Sequence, residues 1–119
     1  MAREFFLSVL GYREDEECVA LALEMDIRGT GPTFEKALDN LLELVAMQIS
    51  FARFKGQPEM ILRPAEAVWF NLYAQVRAEA MRAILSDEAI SPDYVASCLH
   101  VPPAHIVASL KDQFQVAYA

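Results

Sequence analysis

A chain of 119 residues, 55% apolar and 23% charged, has the material for one compact core, and its formal charge of -7 works against any broad electrostatic hold on nucleic acid or anionic membrane. No apolar run reaches the ~20 residues of a membrane-spanning helix. The two cysteines, Cys18 and Cys98, are far apart and form no paired pattern, so the expectation is a cytoplasmic protein with reduced thiols.

The N-terminal run Met1 to Tyr12 carries Arg3 and Glu4 and no small-residue cleavage site, so it reads as a strand and not as a signal peptide. Phe5 to Tyr12 is apolar on both faces. The acidic link Arg13 to Glu17 then joins it to a second strand as an antiparallel hairpin. From Cys18 to Arg28 the alternation Val19, Leu21, Leu23, Met25, Ile27 against Ala20, Ala22, Glu24, Asp26, Arg28 predicts one half-buried strand. Gly29-Thr-Gly31-Pro32 predicts a tight turn. Thr33 predicts the N-cap of a helix whose apolar stripe is Phe34, Leu38, Leu41, Val45, Ile49 and Ala52, ending near Phe54 before Gly56 and Pro58.

Met60 to Leu62 is a brief strand or a packed loop. Val68, Trp69, Leu72, Tyr73, Val76, Ala80, Ala83 and Ile84 then space out a second helix, from about Ala65 to Leu85. The aromatics Trp69, Phe70 and Tyr73 stand near Arg77, but their spacing is that of a core stripe rather than a base-stacking platform. Ser91-Pro92 predicts a cap and first-turn proline for a short helix to about Leu99. A turn at His100 to Pro102 and a last helix from Pro103 to about Val116 complete a helix-turn-helix-like unit. Its second helix has no Arg, Lys, Asn or Gln before Lys111, a poor set for reading base edges or phosphates. The expected organisation is a β-β-α module over 1–56 and a helical extension over 57–119. The fold class is α+β, a small antiparallel sheet packed by one long helix.

Charge is uneven. Residues 1–52 carry four basic and ten acidic groups, whereas 53–86 carry five basic and three acidic. An anionic partner would therefore meet the middle segment, where Arg53, Lys55, Arg63, Arg77 and Arg82 lie, and the nucleic-acid candidates across this segment and the C-terminal helices are Arg77, Arg82, His105 and Lys111. A basic protein partner would meet the acids Glu14, Asp15, Glu16, Glu17, Glu24 and Asp26. Glu24 and Asp26, two apart on one strand face, could also share a divalent metal as in a nuclease, although a solvated strand face explains them as well. Cys98, His100 and His105 match no zinc spacing. Gly29-Thr-Gly31 lacks the rest of any phosphate-loop fingerprint, and no serine sits in a nucleophile elbow. The expectation is a non-enzymatic protein with no metal and no cofactor.

The stretch Leu23 to Leu42 resembles the strand–turn–helix unit of HicB-like antitoxins. Leu23, Glu24, Met25 and Asp26 match the strand end. Gly29, Gly31 and Thr33 match a Gly-x-Gly-Asp-Thr turn in which Pro32 replaces the Asp. Glu35, Ala37 and Leu38 match the helix start. The resemblance covers about residues 4–54. It implies a truncated ribonuclease-H-like fold without catalytic acids, which binds and blocks a small HicA-like ribonuclease toxin. It further implies a homo-oligomer, dimer or higher, with a C-terminal helix-turn-helix or ribbon-helix-helix for operator DNA. The helix from Ala65 to Leu85 is an addition to a plain antitoxin of that kind.

Overall fold

The computed structural model describes residues 5–89 and 93–101. In order these are β1 (Phe5–Glu14), β2 (Glu17–Ala22), β3 (Ile27–Gly31), α1 (Phe34–Lys55), a 3₁₀ turn (Pro58–Met60), α2 (Ala67–Leu85) and β4 (Tyr94–Val101). The class is α+β. The four strands form one antiparallel sheet in the order β3-β2-β1-β4. Among the described residues no helix is long and apolar enough to cross a membrane.

β1 is central, and its apolar character on both faces has a direct cause: a helix lies on each side. Leu7 and Val9 join Cys18, Ala20 and Ala22 of β2 and Leu41, Val45 and Ile49 of α1 in one core. On the opposite face Leu21 and Leu23 meet Ala65, with Tyr12, Trp69, Phe70 and Tyr73 packed around them. The small side chains Ala20 and Ala22 face α1 and let it come close. The larger ones face the looser α2. In α2 only Ala83 is buried, whereas seven residues of α1 are.

The strand expected from Cys18 to Arg28 is two strands. Its alternation breaks at Leu23 to Asp26, a turn in which Asp26 takes φ 52°, and the chain reverses into β3. The even alternation misled because both sheet faces are buried, so apolar and small residues alternate with no solvent side to mark the end. Gly29 and Gly31 are therefore not turn residues. They sit in β3, paired with Ala20 and Cys18. A Cβ on Gly29 would run into the Ala37 carbonyl oxygen and the Leu41 nitrogen, so the glycine exists to let α1 cross β3 in close contact. The helix then starts as expected: the Thr33 hydroxyl accepts from the Lys36 N–H at 3.2 Å, and Gly56, at φ 66°, caps the end.

Met60 to Leu62 form no strand: Met60 ends the 3₁₀ turn, with the Gln48 side-chain amide donating to its carbonyl at 3.1 Å, Ile61 packs against the α1 core and Leu62 is exposed. From there the chain rounds the β2–β3 turn, where the Ala65 N–H donates to the Leu23 carbonyl at 2.8 Å, and enters α2 on the other face.

The helix expected from Ser91 to about Leu99 is instead the strand β4, paired with β1 from Phe5↔Val101 to Tyr12↔Tyr94. Residues 94–101 are rich in aromatic and β-branched types, and β1 has a second edge that needs a ladder partner; both favour extension over helix. This strand also ties the segment after residue 57 into the sheet built by the segment before it. The expected last helix, 103–116, lies outside the described residues.

Candidate functional site

The acidic link folds as a two-residue hairpin loop. Glu14 and Glu17 are the last cross-strand pair, and Asp15 adopts φ 57°, the left-handed conformation that tight hairpins use. Arg13, Glu14, Asp15, Glu16 and Glu17 are all exposed, and four carboxylates therefore project from one rigid tip. Arg13 leans back, its guanidinium 5.8 Å from the Phe34 ring centroid.

Glu24 and Asp26 are elsewhere. They belong to the β2–β3 turn, at the opposite end of β2, roughly 20 Å of strand from the tip. They do not share a strand face, contrary to the expectation, because the strand ends before them. Each has a structural task. One Glu24 oxygen accepts from the Ser8 N–H at 2.7 Å, continuing the β1–β2 ladder past the last β2 residue. Asp26 pairs with Arg28 at 3.1 Å. Among the described residues no group of three or more His, Cys, Asp and Glu side chains is placed to hold a metal ion. The six acids are thus two separate groups, and only Glu14 to Glu17 make a free-standing patch.

Arg28, which sequence reasoning passed over, organises the other face. It donates to the Tyr12 hydroxyl at 3.3 Å and lies 5.4 Å from the Trp69 ring centroid, while Tyr12 and Trp69 stack at 5.4 Å. The Tyr12 bond raises the guanidinium pKa above its ordinary value, against burial, which lowers it, and Asp26 adds to the rise. Trp69 thus spends its ring on Tyr12 and Arg28, and Phe70 and Tyr73 pack around Leu21 and Leu23, which leaves no open aromatic platform here.

Of the nucleic-acid candidates, Arg82 is engaged by Glu79 and Glu88, both at 3.0 Å, which raise its pKa and neutralise its charge locally. Arg77, also exposed, lies five residues away and so on another side of α2. His105 and Lys111 lie outside the described residues. The first of the two helices that operator reading needs is β4. On β4, exposed Cys98 and His100 are two apart, and His100 rests against Phe6 with ring centroids 4.9 Å apart.

A feature unread in the sequence is the apolar surface that α2 leaves uncovered: Val68, Met81, Ile84 and Leu85 are all more than half exposed. Val68 and Ile84 belong to the apolar stripe expected for this helix, and the structure leaves them exposed; Met81 and Leu85 lie outside that stripe. No protein-family model, curated protein or solved structure matches the chain.

Proposed function

We propose that the chain is a non-enzymatic, HicB-like protein-binding module that neutralises a small basic ribonuclease of the HicA type. The observation that carries this reading is the hairpin tip, where Glu14, Asp15, Glu16 and Glu17 stand exposed on a tight two-residue loop. The β1–β2 ladder fixes the backbone beneath these carboxylates, and their shared sign steers a basic partner towards the tip. The Thr33-capped long helix packed on an antiparallel sheet supports this reading at the level of fold alone, since Leu23 to Asp26 form a turn and Gly29 to Gly31 a strand where the resemblance has strand end and turn.

The test is inhibition and co-sedimentation with a purified small basic ribonuclease encoded beside this chain. The expected outcome is stoichiometric inhibition at low salt. Binding should weaken at least about tenfold in the double variant Glu16→Lys/Glu17→Lys, and with rising salt in the parent. No inhibition by the parent at low salt would sink the reading. Binding indifferent to the double substitution would remove the hairpin tip from it.

A further inference from the structure

We draw no further inference here: the strongest candidate, the apolar groove of about 860 Å³ between the last turns of α2 and the Tyr94 to Ala96 end of β4, carries nothing, because nothing among the described residues shows what covers it and its Glu79 and Arg82 are already paired with each other.

Discussion

Glu24 shows how one side chain can exchange an expected role for another. Its carboxylate takes the place of a missing ladder carbonyl and receives the Ser8 N–H where β2 has already ended. A partly buried N–H left without an acceptor costs about 1–3 kcal/mol. Glu24→Ala should therefore lower unfolding free energy by that amount in urea titration, and Glu24→Gln, which keeps an oxygen at the same reach, should recover most of it. Equal losses in both variants would show that the charge, and not the hydrogen bond, matters. Residue type and position were plain in the sequence; the role was not, because it depends on a partner sixteen residues away.

At the scale of elements, α1 and α2 differ in how completely they are used. Leu41, Val45 and Ile49 of α1 are buried against Ala20 and Ala22, with Gly29 admitting the helix backbone to β3. Gly29→Ala places a methyl group against main chain that cannot swing aside. It should cost about 3 kcal/mol and lower Tm by roughly 10 °C, read by thermal denaturation. An unchanged Tm would mean that α1 stands further from β3 than described. The α1 stripe, its Thr33 cap and its Gly56 stop were legible in advance because they are local. The β2–β3 reversal was not, since a strand buried on both faces lacks the polar side that marks register. The stretch to about Leu99 was expected as helix, and His100 to Pro102 as a turn, for a related reason: Ser91-Pro92 is a good local start signal, but an eight-residue ladder between 94–101 and β1 outweighs it.

For the molecule as a whole, β4 binds the last described segment to the first, and α2 packs on the sheet face that α1 leaves open. The chain should therefore unfold as one cooperative unit. At fixed concentration, fluorescence of the single tryptophan, Trp69, which reports α2, and far-ultraviolet circular dichroism, which reports all elements, should give coincident urea transitions. An earlier fluorescence transition would show that α2 detaches on its own.

By itself the sequence determined the first hairpin, the long capped helix, the second apolar helix, and the acidic character of residues 1–52, because each rests on neighbours within a turn or two. Only the tertiary structure decided that Glu24 and Asp26 belong to a turn and not to a shared face, that Gly29 and Gly31 serve helix packing, and that residues 94–101 form β4 of the sheet. These outcomes depend on which distant segments supply ladder partners and cover each face, and local periodicity carries no information about that.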